Sequence, residues 1–316
     1  MLKSKLLAII AHHQTENFNI SYKNASIGGF PFSWKVTLLS PKLTVITQDI
    51  SQEFITDSLI CDFSYNFSKA KLNFGNIFHY TTEDGEGIRD YQLKSENNVV
   101  ITVNLFENFY RIDQSDSLKK LVKNIEFGSP SILGSTSKGE ELFSLSDMRL
   151  LIEQKIDSSN AEILSLKLSG DYKSLIQENK LNNIVINFDG TYTTNELETE
   201  NNLGFERRIE ISSAKINLNQ AYCNLKGLLS LARNQAPLGK ISIELMNYEE
   251  FIDSLVPNDF IFSSNYLKKI IAKIISKDLS AEQTEKVSKE KVNFDVNFSD
   301  DGVTLGNLNI VDLQRN

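Results

Sequence analysis

Apolar and polar residues alternate with a period of two along most of this chain. In Phe32-Ser33-Trp34-Lys35-Val36-Thr37-Leu38, the apolar residues fall on one face and Ser, Lys and Thr on the other. Pro41 interrupts, and Leu43 and Val45 resume the pattern. Val99, Ile101, Val103 and Leu105 repeat it, as do Leu164, Leu166 and Leu168, then Ile184, Ile186 and Phe188. Ile216 and Leu218 follow Ala214, and Val292, Phe294, Val296 and Phe298 oppose Lys291, Asn293, Asp295 and Asn297. A period of two places successive side chains on opposite faces of a strand, so the pattern predicts antiparallel sheets with one apolar and one polar face. Asp301-Gly302 suits a tight hairpin before Val303 and Leu305, because glycine accepts positive φ without steric cost. Strands joined by crossover helices are absent, which argues against a doubly wound or barrel α/β enzyme. The expected fold is α+β, predominantly β: long twisted antiparallel sheets with an N-terminal helix and C-terminal accessory helices.

Helical periodicity is confined to a few places. Residues 2–16 carry Lys3 and Lys5 ahead of Leu6-Leu7-Ala8-Ile9-Ile10-Ala11. That run is shorter than a signal core of about 7–15 residues or a spanning helix of about 20. It reads as an amphipathic helix, or as the remnant that follows an export or anchor segment. A short helix is expected over Asp116–Lys123, ahead of an extended "NIEFGSPSI". Tyr248–Leu255 has Phe251, Ile252 and Leu255 clustered and stops before Val256-Pro257. From about Ser264 to Lys277, Leu267, Ile270, Ile271, Ile274 and Ile275 form an apolar stripe opposed by Lys268, Lys269, Lys273 and Lys277. Such a basic amphipathic helix can lie on a membrane, though most simply cover a sheet. Residues 280–291 read as an exposed connection. The domain organisation expected is a helix or export remnant over 1–16 and one elongated β-rich domain over 17–316, with 195–205 the boundary if two lobes exist.

At 316 residues, 41% hydrophobic and 23% charged, the chain can bury a sizeable core and is not of disordered composition. The five prolines and fifteen glycines mark no linker. A formal charge of −8 argues against nucleic acid as a partner. Cys61 and Cys223 have no CxxC partner. They read as small buried hydrophobes, with pairing open to them in an oxidising compartment.

Nothing in the chain selects a catalytic residue, a cofactor site or a metal site. The histidines are His12, His13 and His79, and there is no HExxH, i, i+4 pair or GxSxG elbow for them to serve. Asp84-Gly85-Glu86-Gly87 looks like a calcium loop only superficially, since the regular ligand spacing is missing, and reads as an exposed turn. Glu196-Leu197-Glu198-Thr199-Glu200 reads as a solvated acidic loop. No phosphate-cradling glycine loop occurs.

The stretch "ISYKNASIGGFPFSWKVTLLSPKLTV" resembles the start of the periplasmic part of a bacterial family of unassigned function, domain-of-unknown-function family 2125, with Gly29-Phe30-Pro31-Phe32 matching its "sGFPf" turn. Gly227 and Pro237-Leu238-Gly239 stand at its later punctuating positions, and "VNFSDDGVTLGNLNIVDL" is similar to its closing hairpin. The family's amino-terminal anchor is missing here. Physically, Gly28 and Gly29 permit a bulge or tight bend, Pro31 fixes φ, and Phe30 and Phe32 can anchor a core or form an aromatic lip. Gly29, Phe30, Pro31 and Phe32 are therefore expected to shape architecture rather than chemistry. The family is broadly similar to AsmA-like envelope proteins, whose curved sheets present an apolar groove. The resemblance implies a non-enzymatic envelope protein, periplasmic or anchored in the inner membrane facing the periplasm, that binds a lipid or acyl chain on an apolar sheet face. The stripe around Leu267–Ile275 would line or cover that face. The alternative is a structural or interaction component of the envelope that holds a protein partner.

Overall fold

The computed structural model describes residues 2–12, 14–29, 34–47, 50–84, 87–106, 122–156, 162–175, 183–199, 202–232, 236–255, 268–269, 271–272, 291–299, 302–306 and 308–309. The fold is predominantly β within the α+β class, built from antiparallel strands with two helices. No described helix is long and apolar enough to cross a membrane. The chain divides into two units, Met1–Glu153 with Ser174–Gln177 and Gln154–Lys173 with Glu178–Asn316. The expected boundary at 195–205 is instead a hairpin within the second unit, where Asn195 pairs with Glu206 and Thr199 with Asn202. Its acidic composition looks like a linker, but backbone pairing tolerates charged side chains once the register has been set further along the strands.

The first unit is a meander of long strands, each bent near its middle. Helix α1 (Leu2–His12) precedes β1 (Phe18–Ser21) and β2 (Asn24–Gly28). Then β3 (Trp34–Leu39) runs on into β4 (Lys42–Thr47), β5 (Ile50–Thr56) into β6 (Ser58–Phe63), β7 (Lys69–Asn73) into β8 (Ile77–Asp84), and β9 (Gly87–Ser95) into β10 (Val100–Leu105). Each half pairs with the matching half of its neighbour, as in β3 with β6 and β4 with β5. The long β11 (Val122–Thr136) receives β10 on its first half and β9 on its second, and pairs along its other edge with β12 (Glu141–Ile156). The short helix expected over Asp116–Lys123 is corrected at its end: Val122 and Lys123 begin β11, and the remainder lies outside the described residues.

The bends line up as one crease across the unit. Ser40 (φ +47°), Gly75 (φ +78°) and Asp147 (φ +52°) take left-handed backbone there. Backbone bonds bridge the breaks: Ser40 N–H donates to Asp57 O (2.8 Å) and Val99 N–H to Gly75 O (2.7 Å). Hydroxyls take carbonyls there too. Thr56 Oγ1 donates to Phe74 O at 2.6 Å and Ser95 Oγ to Ser131 O at 2.8 Å. Thr56, Ser95 and Ser129 are buried, and the crease accounts for all three. The alternation slips by one residue where it crosses, from Val36 and Leu38 to Leu43 and Val45, and from Phe54 to Leu59 and Cys61. Ser95 Oγ lies 3.3 Å from Ser129 Oγ, so residues from both sides of the crease meet on one face.

On that face α1 covers one end. Leu6, Leu7, Ile9 and Ile10 pack on a core of Ala25, Val36, Leu38, Cys61, Phe63, Phe67 and Ala70. Burial stabilises each large apolar side chain here by about 1.5–3 kcal/mol.

The second unit is a simpler meander: β13 (Glu162–Ser174), β14 (Asn183–Thr199), β15 (Asn202–Leu218), β16 (Ala221–Ala232), β17 (Leu238–Met246), β18 (Val292–Ser299), β19 (Gly302–Leu305) and β20 (Leu308–Asn309). Each pairs with the next from β13 onward. Helix α2 (Tyr248–Leu255) follows β17 over the span expected from the sequence. Asn247 O accepts its first helical bond, from Phe251 N–H at 3.0 Å, and Glu249 and Glu250 in its first turn suit the positive end of the helix dipole. Tyr248, Phe251 and Ile252 are buried against Leu218, Ala221, Cys223, Leu245 and Val292. At Gly227 a Cβ would collide with the Lys240 carbonyl oxygen and stand 2.7 Å from Ile241 Cα, so the punctuating glycine permits a close approach of β16 to β17.

Two outcomes are expected. Gly227→Ala should cost about 2–3 kcal/mol in denaturant unfolding, because backbone must move, whereas Gly128→Ala, with its nearest neighbour 3.9 Å away, should stay within about 1 kcal/mol. Cys61 and Cys223 are buried free thiols, and burial pushes their pKa from the ordinary 9.0 up to about 12 and about 11. The native chain should therefore resist a thiol reagent that labels both cysteines in denaturant. In the unfolded chain both thiols ionise near 9, so their stabilising contribution is complete below that pH and lost as pH rises toward 11–12.

Candidate functional site

Register places the apolar residues of the second unit in rows that cross its strands. Nearest α2 runs Ile184–Leu218–Ala221, then Ile186–Ile216–Cys223–Leu245–Val292. Beyond them come Leu168–Phe188–Ala214–Leu225–Ile243–Phe294, Leu166–Gly190–Ile211–Gly227–Ile241–Val296, and Leu164–Tyr192–Ile209–Leu229–Gly239–Phe298. A bulge between Ile211 and Ala214 absorbs an extra residue on β15, which keeps Ile209 and Ile211 in line with Gly227 and Leu229.

Burial along these rows is uneven. Leu218 is 0% and Ala221 1% exposed under α2. Ile209, Ile211, Leu229, Ile241, Val296 and Phe298 are only half-buried, and Leu164 is 39% exposed. The helix thus closes the β15–β18 part of one end of the face, where Ile186 on β14 stays 36% exposed, and the two rows through Ile211 and Ile209 lie beyond its cover. Residues from the predicted Leu267–Ile275 stripe reinforce the closed end. Ile271 is buried in the same core, and Lys268 Nζ pairs with Asp253 Oδ2 of α2 at 2.5 Å. Lys268, Lys269, Ile271 and Ala272 are helical, and the rest of the stripe lies outside the described residues.

The first unit repeats this arrangement. Away from α1, the row Ile20–Leu43–Phe54–Tyr80–Tyr91 is half-buried, with Phe54 and Tyr80 stacked at 4.7 Å between ring centroids and Tyr80 and Tyr91 at 5.9 Å.

The opposite face of the second unit is charged and knitted together. Lys291 Nζ meets Glu244 Oε2 at 2.6 Å, Tyr222 Oη donates to Glu244 Oε1 at 2.8 Å, and Lys215 Nζ sits 5.2 Å above the Tyr222 ring. Lys240 holds Asp295 at 2.7 Å, with Ser242 donating to the same carboxylate. The Glu244 carboxyl is held below its ordinary value by hydrogen bonds from Lys291 and then Tyr222, and Asp295 by Lys240 and then Ser242. Two shallow hollows of about 380 and 440 Å³ open on this charged side, walled by these paired groups together with Arg208, Glu210 and Lys226. Buried Asn224 Oδ1 beside them has no hydrogen-bond partner among the described residues.

The other positions singled out in the sequence do not converge. His79 is exposed in β8 opposite Ile55 and Gln92, His12 ends α1, and His13 lies outside the described residues. Asp84 and Gly87 close the β8–β9 hairpin, with Gly85 and Glu86 outside the described residues. The segment Glu196–Thr199, expected as a solvated loop, is the end of β14 instead. Among the described residues, no three His, Cys, Asp or Glu side chains gather as metal ligands. Gly29 (φ +86°) turns the chain from β2 toward β3, and Phe30, Pro31 and Phe32 lie outside the described residues. What the sequence did not single out is the aromatic row through Phe54, Tyr80 and Tyr91. Its signal, three aromatics on three neighbouring strands, needed the register to become visible.

Comparison with protein-family models, with curated proteins and with solved structures found no match.

The uneven cover predicts uneven energetics. Phe251→Ala, on the buried side of α2, should cost about 3–4 kcal/mol in denaturant unfolding, whereas Phe298→Ala, on the open rows, should cost about 1 kcal/mol. Equal losses would contradict an open face.

Proposed function

We propose that this chain is a non-enzymatic protein of the bacterial envelope that binds a lipid or other hydrophobic ligand on an apolar sheet face. The observation that carries the reading is the run of half-buried rows Ile211–Gly227–Ile241–Val296 and Ile209–Leu229–Phe298 beyond the cover of α2. An uncovered apolar surface several strands wide is unfavourable in water and marks a binding surface. A long flexible apolar chain fits a flat, unlined track that lacks converging polar groups, and such sites need few polar determinants. The envelope assignment rests on the resemblance carried by Gly29-Phe30-Pro31-Phe32, Gly227 and Pro237-Leu238-Gly239.

A second reading, a scaffold for a protein partner, draws on the edge of the first unit. Among the described residues β2 pairs only with β3, and Ile27 on it is 48% exposed.

The deciding experiment is purification from a membrane-containing host without detergent stripping, then denaturation and mass spectrometry of what is released. Stoichiometric lipid from the wild type, with about tenfold less from a folded Val296→Asp variant, is the expected outcome. An empty wild-type protein that also fails to take up a neutral hydrophobic dye would overturn the reading, and a co-purifying protein would favour the scaffold.

A further inference from the structure

The open rows of the second unit end on a row of a different kind. Register continues from Leu164–Tyr192–Ile209–Leu229 to Glu162–Thr194–Arg207–Leu231. Among the described side chains at apolar-face positions of this unit, Glu162 and Arg207 are the charged ones. Both are exposed, and neither has a hydrogen bond or ion pair among the described residues. That is unlike the charged face behind them, where Lys167 meets Asp189 at 3.3 Å and Lys240 and Lys291 are also engaged.

Spacing explains why the two do not satisfy each other. They stand on strands two apart, about 10 Å between backbones, with the hydroxyl residue Thr194 between them. A cation, a hydroxyl and an anion are thus presented in line at one end of an apolar track. Measured along β16, which carries no bulge over this span, the face from Leu225 to Leu229 is about 13 Å long at 3.3 Å per residue. One leaflet's worth of acyl chain is about 15 Å, half the hydrocarbon core of a bilayer.

We propose that the row Glu162–Thr194–Arg207 reads the head group of a zwitterionic lipid, Arg207 taking its phosphate and Glu162 its ammonium, while the acyl chain lies along the rows toward α2. The inference rests on the lipid-binding reading of the same face. A guanidinium offers a planar fork that matches phosphate oxygens, and a carboxylate accepts from the three N–H donors of a primary ammonium. Two fixed opposite charges set apart favour a head group carrying both signs over one carrying either alone.

The test uses the full chain and three probes with one acyl chain: monolauroylglycerol, lauroyl lysophosphatidate and lauroyl lysophosphatidylethanolamine. Each is titrated below its micelle concentration by displacement of a neutral hydrophobic dye. The zwitterion should bind about tenfold tighter than lysophosphatidate, which lacks the ammonium, and tighter still than monolauroylglycerol, which lacks both charges, the scale being about tenfold per charge-assisted hydrogen bond. Glu162→Gln should erase its advantage over lysophosphatidate, and Arg207→Gln should reduce its advantage over monolauroylglycerol about tenfold, to the share carried by the ammonium. Arg208→Gln, whose side chain belongs to the opposite face, should change neither and controls for folding and net charge. If all three probes bind the wild type alike, or if both rim variants behave as Arg208→Gln does, the head-group inference is overturned while lipid binding stands. If no probe binds, lipid binding itself falls.

Discussion

An antiparallel sheet satisfies its own backbone but leaves an entire apolar face to be removed from water, and that requirement organises both units of this protein. Each unit meets it only in part, with a helix laid over one end of the face. Under α1 sit Val36, Leu38, Cys61 and Phe63, and under α2 sit Leu218, Ala221, Cys223 and Val292. The consequences follow from distance to the helix. Close to it, side chains are packed and thiols are held neutral. Farther along, the same alternation continues through Ile209, Ile241 and Phe298, which are only partly buried. A helix of eight residues, about 12 Å long, cannot span a face whose strands run for as many as seventeen residues.

The first unit adds a second constraint, since its strands bend and hydrogen bonds bridge the breaks in the ladder. Left-handed Ser40, Gly75 and Asp147 turn the chain, and the hydroxyls of Thr56 and Ser95 take carbonyls where the ladder breaks. A buried carbonyl without a partner costs about 1–3 kcal/mol, so placing these hydroxyls on the crease is part of what makes the bend stable. The one-residue slip in alternation between Leu38 and Leu43, and between Phe54 and Leu59, has the same origin: the residue at the corner belongs to neither face.

Charge is distributed in the complementary sense. On the polar face of the second unit, lysines and carboxylates pair across neighbouring strands, giving exposed contacts of small individual value that set register and solubility more than stability. On the apolar side, Glu162 and Arg207 stand apart in one row at the uncovered end. An apolar track bordered by charges that have no partner among the described residues has the polarity of an amphiphile, which gives the proposed binding face a direction as well as a position.

Local periodicity was enough to determine much of this protein. The strands, the two faces of each, the helix Tyr248–Leu255 and the burial of both cysteines were legible because each depends on residues a few positions apart. The acidic stretch after Asn195 was misread because composition describes solvation, whereas its place in β14 depends on pairing with residues 202–206. The crease was visible only as the interruption at Pro41. Its extent across seven strand lengths required knowing that residues as distant as Ser40 and Asp147 lie on one line. Which rows are covered, and that Glu162 and Arg207 share a row though forty-five positions separate them in the chain, were decided by the tertiary structure alone, because cover and register are set by contacts between strands that a one-dimensional pattern does not contain.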